Sequence, residues 1–368
     1  MAKKVLAISL LVFLLFSFCS YGEGEDEIPS LYERAVILET FDGGDVSNDN
    51  IESIQYVELK VTTGKYKGEV FNIENTLSGH PVYDIPVKPG DKVLVLIEEY
   101  EDGSLVVNIA DYIRDFYIYI LAGVFALSLL VIGKSKGLKT IITLVFTMFM
   151  IFKVLLPLML RGYNPVAITI LISVVITVLT ILLISGITKK SFAAILGTVS
   201  GVLIAGFLAF VIGTKVRLTG MTSEEAVMLL YIPQNIKFNF KELLFSGILL
   251  GALGAVMDVC MSIASSIEEV NRANTDLTMK ELFLSGMNVG KDIMGTMSNT
   301  LILAYTGSAV PLLLLFMAYE TSILRIINLD IIATEVVRSL AGSIGLILSI
   351  PITAILAAVL IKREGKGQ

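Results

Sequence analysis

Histidine, cysteine and tryptophan are nearly missing from this chain of 368 residues, which holds one His, two Cys and no Trp. Two cysteines, Cys19 and Cys260, cannot form a disulfide framework. His80 has no Cys or His beside it, so no metal site is expected. Charge is scarce as well: Asp, Glu, Lys and Arg supply 17% of the residues, against about a quarter in soluble domains. The phosphate-cradling pattern G-x-x-x-x-G-K-[ST] is absent, which argues against ATP-driven work by this chain alone. So is H-E-x-x-H. No cofactor is expected, and a net charge of −6 offers no broad basic surface for nucleic acid.

What the chain has instead is apolar length. Hydrophobic residues make up 55% and the mean hydropathy is +0.80. Runs of about 20 apolar residues each suffice to cross a hydrocarbon layer of roughly 30 Å. The expected fold class is an α-helical integral membrane protein with seven spans, near 116–132, 140–160, 166–186, 192–212, 244–265, 289–318 and 332–361. The sixth is too long for one helix, and "AYTGSAVP", with Gly307 and Pro311, predicts a break or a re-entrant piece. Pro351 predicts a kink in the seventh.

Before the spans the composition changes. Residues 1–22 read as a signal peptide: Lys3 and Lys4 precede the apolar run Val5 to Phe18, and small residues at Ser20 and Gly22 permit cleavage. An uncleaved anchor is the alternative. Residues 23–115 carry 21 Asp or Glu against 7 Lys or Arg. In them, short β-branched segments at 34–40, 56–62, 69–73, 92–98 and 105–109 alternate with turn signals such as "DGG" and "KPGD". Five short strands suggest a small barrel of the OB or SH3-like kind. The transmembrane domain follows at 116–361, then a basic tail at 362–368.

With seven spans, Lys134, Lys136, Lys139, Lys189, Lys190, Lys362, Arg363 and Lys366 fall on one side. Lysine-rich short loops mark the cytoplasmic face. That side is therefore expected to be the cytoplasm, with the acidic domain outside the membrane and the C-terminus inside. The loop at 213–243, with Lys215, Arg217, Lys237 and Lys241, dissents but is long.

Candidate functional residues lie in the last three spans. Gly247, Gly251, Gly254, Asp258, Ser262 and Ser265 step by three or four, which puts all six on one helix face. That stripe is expected to pack against another helix, with Ile248, Leu249, Leu253, Val256 and Val259 turned toward lipid or apolar neighbours. Asn288, Asp292, Gly295 and Asn299 form a second stripe beside Lys291, and Glu335, Arg338, Ser339 and Gly342 a third. Glu335 and Arg338, three apart, are placed to pair. Charges at membrane depth cost at least ~2.5–3.5 kcal/mol each on insertion scales, so they seek a partner or water. Gly197 and Gly201 in "GTVSG" read as packing positions, as do Gly286 and Gly290. "KELLFSGILLG" (241–251) and "KELFLSGMNVG" (280–290) form an internal repeat at an offset of 39. Lys153, deep in "FMIFKVLLPLMLRGY", reads as a snorkelling side chain.

"GALGAVMDVCMSIASS", "SGMNVGKDIMGTMSNTLILAYTGS" and "ATEVVRSLAGSIGLILSIPITA" resemble the YibE/F family of bacterial membrane proteins. So do "GKYKGEVFNIENTLSGHPVYDIPVKPGDKVLV", "KGLKTIITLVFTMFMIFKVLLPLMLRGYNP" and "KKSFAAILGTVSGVLIAG". The resemblance implies a multi-spanning protein with an extracytoplasmic β domain; it carries no catalytic residue to this chain. The expected function is a transporter or permease for an ion or small solute, its polar pathway lined by Asp258, Asn288, Lys291, Asp292, Asn299, Glu335 and Arg338. The alternative is a membrane-embedded scaffold or sensor whose β domain binds an envelope component or a partner protein. Lipid, a cation or small solute, and a second copy of the chain are the expected partners. An enzyme is not expected: no histidine falls in any span, and two aspartates alone lack the surroundings of an intramembrane protease.

Overall fold

The computed structural model describes residues 30–48, 51–80, 82–100, 102–232, 238–320 and 322–362. The expected signal segment and all but Lys362 of the basic tail lie outside them. The chain divides into two compact units, Met1–Ser128 and Leu129–Gln368.

The first unit is a five-stranded antiparallel sheet, β1 (Ser30–Asn48), β2 (Ile51–Val61), β3 (Val70–Leu77), β4 (Lys92–Glu99) and β5 (Leu105–Tyr112). Their order is β3-β2-β1-β4-β5, and the two edge strands approach each other to make a half-barrel. Alternation sets the two faces. Ala35 and Ile37, Val57 and Leu59, and Val93, Val95 and Ile97 point inward and are buried, while their neighbours face out. Gly90 (φ 92°) makes the turn into β4 that "KPGD" announces. β1 and β2 run well beyond the expected segments. Their hairpin continues through the acidic Asp42–Asp45 stretch, where a register shift absorbs Gly43 and Gly44. Backbone pairing needs no apolar side chain, so the periodicity is silent there.

Around the sheet, acceptors are well supplied. Asp84 accepts from the backbone N–H and the hydroxyl of Ser78, both at 2.8 Å, and the backbone bond holds its carboxyl below the usual range. Glu99 accepts from Lys65 at 2.6 Å and from Tyr66 at 3.0 Å, with the same result.

The second unit is helical. Asp115–Leu160 holds α1 (Asp115–Phe149), in which two helices join across a non-helical Lys134, then a π-helical turn at Met150–Leu155, and α2 (Leu156–Leu160); its part up to Ser128 belongs to the first unit. Its 46 residues would reach about 69 Å if straight, twice a bilayer. They are not straight. Lys134 takes φ 48° and ψ −122°, and a Cβ on Gly137 would lie 1.9 Å from the Leu129 carbonyl oxygen, eight residues earlier. The helical path therefore breaks sharply at Lys134. This turn holds "GKSKG" (133–137), a match to G-x-S-x-G that sits between helical segments rather than on the strand-to-helix elbow of a hydrolase.

Then come α3 (Pro165–Ser185), α4 (Lys189–Lys215), a short α5 (Glu224–Met228), α6 (Phe240–Ala273), α7 (Met279–Ser308), α8 (Val310–Ala318), α9 (Ile323–Ile327) and α10 (Asp330–Lys362). Five helical stretches are long and apolar enough to cross a membrane. α7 and α8 pass the same test together, bent by 61°. The break falls at Ala309, beside the expected Gly307 and Pro311, with Pro311 in the first turn of α8. α7 starts ten residues before the expected span because Thr278 and Glu281 form a capping box. α10 runs on through Pro351.

Close approach at glycine builds the bundle. A methyl on Gly197 would lie 2.0 Å from Thr353 Oγ1, and one on Gly345 would lie 2.6 Å from the Gly201 carbonyl oxygen. The α4 and α10 backbones thus touch. Gly286 packs on Ile267 and Ala354, and Gly290 on Ile350 and Ile263, which seats α7 against α6 and α10. At one end Lys190 pairs with Glu268 at 2.5 Å, and Lys362 donates to the Thr275 carbonyl at 2.6 Å. At the other, Asn164 caps α3 while donating to Glu242 at 2.6 Å, and Thr219 donates to Asp330 at 2.5 Å.

Candidate functional site

α6 and α7 lie antiparallel, registered by Ile267 on Gly286, Ile263 on Gly290 and the Tyr305 hydroxyl on Gly251. Between these contacts, near the middle of the 34-residue α6 and the 30-residue α7, fall Asp258 and Asp292.

The stripe faces opposite to expectation. Gly247, Gly251, Gly254, Asp258 and Ser262 are exposed, whereas Ile248, Leu249, Val256 and Val259 are fully buried. The reason is volume: α6 is the central helix, and α3, α4 and α10 require its bulky face to fill the space between them. Gly247 and Gly254 were expected to allow helix packing, yet a methyl at either would meet nothing within 4 Å. The same is true of Gly295. On α7, Asn288, Lys291, Asp292 and Asn299 are also exposed. Each of these two adjacent helices thus presents a polar face at mid-helix, directed away from the core. Among the described residues, Asp258, Asn288, Lys291, Asp292 and Asn299 have no hydrogen bond or ion pair.

Glu335 and Arg338 form a different arrangement. Arg338 donates to Glu335 Oε1 at 2.8 Å, and its guanidinium lies 5.8 Å from the centre of the Tyr305 ring. Glu335 Oε2 is buried with no partner among the described residues. Tyr305 links the two groups, with its ring under Arg338 and its hydroxyl against Gly251. Sequence reasoning missed Tyr305. The available signal was its type, since a tyrosine inside a span brings a hydroxyl that needs a polar partner.

A second polar cluster is sealed in the core. Cys260, Thr198, Ser349 and Thr353 are all fully buried, with the three hydroxyls around the Cys260 sulfur. Ser349 and Thr353 also donate back into their own helix, at 2.7 and 2.8 Å. These groups join α4, α6 and α10 and have no path to solvent. Among the described residues, no three His, Cys, Asp or Glu side chains gather to hold a metal ion. Lys153 sits in the π-helical turn, half-buried. Such turns recur at functional sites.

Helices of this length and apolarity, with charged residues midway along two of them and a separate β unit, define a helical membrane protein. Family comparison specifies it. Residues 121–363 match the model of YibE/F-like proteins, and residues 39–112 match that of the YibE/F family N-terminal domain. The chain belongs to the YibE/F family. Searches of curated proteins and of solved structures find no match.

Proposed function

We propose that this protein is a membrane permease for a cation or small polar solute, its pathway following the face of α6 and α7. The observation that carries this reading is the placement of Asp258 and Asp292, two unpaired carboxylates at mid-helix on neighbouring helices, bordered by glycines with open space above them. Charges at that depth cost several kcal/mol unless water or an ion meets them. The 61° break between α7 and α8 supplies the discontinuous helix that transporters use near their sites. The repeat adds support. K-E-L-x-x-S-G-x-x-x-G starts at the second residue of both α6 and α7, so the two helices that carry the aspartates open on the same repeated segment. Glu335, Arg338 and Tyr305 would set the charge at one end of the line.

On this reading the turn at Lys134 separates two spans and α7–α8 is one broken span, giving seven crossings. The lysine-rich end is cytoplasmic and the β unit faces outward, in a bacterial cell membrane. β1 pairs with both β2 and β4, the order of an OB-type barrel rather than an SH3-like one. Its acidic surface would raise the local cation concentration. A second reading, a scaffold or sensor, is favoured by one feature. Phe41, Tyr56 and Glu74 are cross-strand neighbours on the outer face of β1, β2 and β3, and both aromatics are exposed, as a docking surface would be.

Flux into sealed proteoliposomes separates the two. Imposed gradients of protons and of mono- and divalent cations should dissipate through the wild type, while Asp258→Asn and Asp292→Asn, equally folded, should fall to the rate of empty liposomes. Absence of flux for every ion would favour the scaffold.

A further inference from the structure

The mid-helix polar face of α6 and α7 is uncovered by its own chain. Three observations bear on what covers it. First, Asp258, Asn288, Lys291, Asp292 and Asn299 are exposed and lack partners among the described residues. Lipid is a poor occupant, since each charge at the bilayer centre costs at least ~2.5–3.5 kcal/mol, and an aspartate is too short to reach the interface.

Second, Gly247, Gly254 and Gly295 serve no packing within the chain, because a methyl at each meets nothing within 4 Å. Glycine inside a helix is less favourable than alanine by about 1 kcal/mol. Gly201 and Gly345 make that good by close approach, whereas Gly307, near the end of α7, is open as these three are. Beside unpartnered charges, open glycines of this kind leave room for a backbone from another molecule.

Third, the face carries both signs. Lys291 and Asp292 are adjacent in sequence, therefore at one depth on α7, and neighbours in sequence do not face each other along a helix. Two copies in a membrane share one orientation, so equal depths oppose. A two-fold contact would set Lys291 of one copy against Asp292 of the other, twice.

We propose that the occupant is a second copy of this chain, docked α7 to α7 through reciprocal Lys291–Asp292 pairs, with Gly295 at the contact. In placing the pathway between two copies the proposal rests on the permease reading; the contact itself is independent of it, and its test requires no flux.

The full chain is reconstituted at low density in lipid nanodiscs and its protein mass measured; two copies per assembly are expected. With Cys19 and Cys260 replaced by serine, Gly295→Cys should cross-link between copies on mild oxidation. Phe207→Cys, which is 66% exposed on α4, should not. Lys291→Asp should shift the assembly to single copies, and Lys291→Asp with Asp292→Lys should restore the pair. A wild type that stays single at every protein-to-lipid ratio would overturn the proposal. So would equal cross-linking from Gly295→Cys and Phe207→Cys, or a swapped double variant no more associated than Lys291→Asp. Assembly without flux would retain the contact and remove the permease; flux through single copies would do the reverse.

Discussion

Two sets of glycines in one bundle look alike in sequence and differ in what they touch. Gly197, Gly201 and Gly345 lie where α4 and α10 meet, and a methyl on any of them would run into a neighbour at 2.7 Å or less. Gly247 and Gly254 on α6 and Gly295 on α7 sit in stripes that step by three or four, and have open space above them. The first set holds the fold together. The second leaves room beside Asp258 and Asp292 for something the chain does not supply. Spacing therefore reveals a small-residue face but not its partner; the opposite face decides that, by how much bulk the core needs from it.

The contrast predicts unequal costs. Between the two sets, Gly345→Ala should be the more damaging change, because its new methyl would meet the Gly201 carbonyl and push the α4 and α10 backbones apart. Overpacking of this kind costs about 1–3 kcal/mol, visible as a lowered thermal midpoint in detergent. Arg338→Met comes next. It leaves the half-buried Glu335 carboxylate without its donor, at a cost of about 1–2 kcal/mol. Adding Glu335→Gln should recover some of that loss in a double-mutant cycle; additive losses would show that the pair is uncoupled. In the β unit, Asp84 and Glu99 have carboxyls held low in the folded state. Their contribution is present above the ordinary carboxylate range, near pH 4, and is lost as pH falls through the lowered folded values. Amide exchange in β3 and β4 should therefore accelerate on acidification while α4 and α10 stay protected. Smallest of all is Gly254→Ala, expected to leave the fold of a single copy unchanged or up to about 1 kcal/mol more stable. A loss comparable to Gly345→Ala would erase the distinction between the two sets.

Much of the architecture was legible because its signals are local. Alternating Val, Ile and Leu marked the β-strand cores, and Gly307 with Pro311 marked the break before α8. What escaped was non-local. The β1–β2 hairpin extends across Asp42–Asp45 through backbone pairing alone, and no side-chain pattern reports that. The break at Lys134 falls in the gap expected between 116–132 and 140–160, and only its form, one residue with positive φ, was not legible. Asp258, Asp292 and Lys291 were found by spacing, yet their outward direction depends on α3, α4 and α10 all claiming the other side of α6. Tyr305 was passed over because its two partners, Gly251 and Arg338, come from distant segments.

Water access decides whether the face of α6 and α7 is a pathway. Ser262→Cys, one turn beyond Asp258 and nearly isosteric, is placed in a chain whose native cysteines are serine. A charged, membrane-impermeant thiol reagent is added to sealed proteoliposomes, with Phe207→Cys as the lipid-facing comparison. A polar pathway predicts rapid labelling of Ser262→Cys and none of Phe207→Cys. Labelling of neither, in folded protein, would mean that the face is dry and that its charges serve helix association alone.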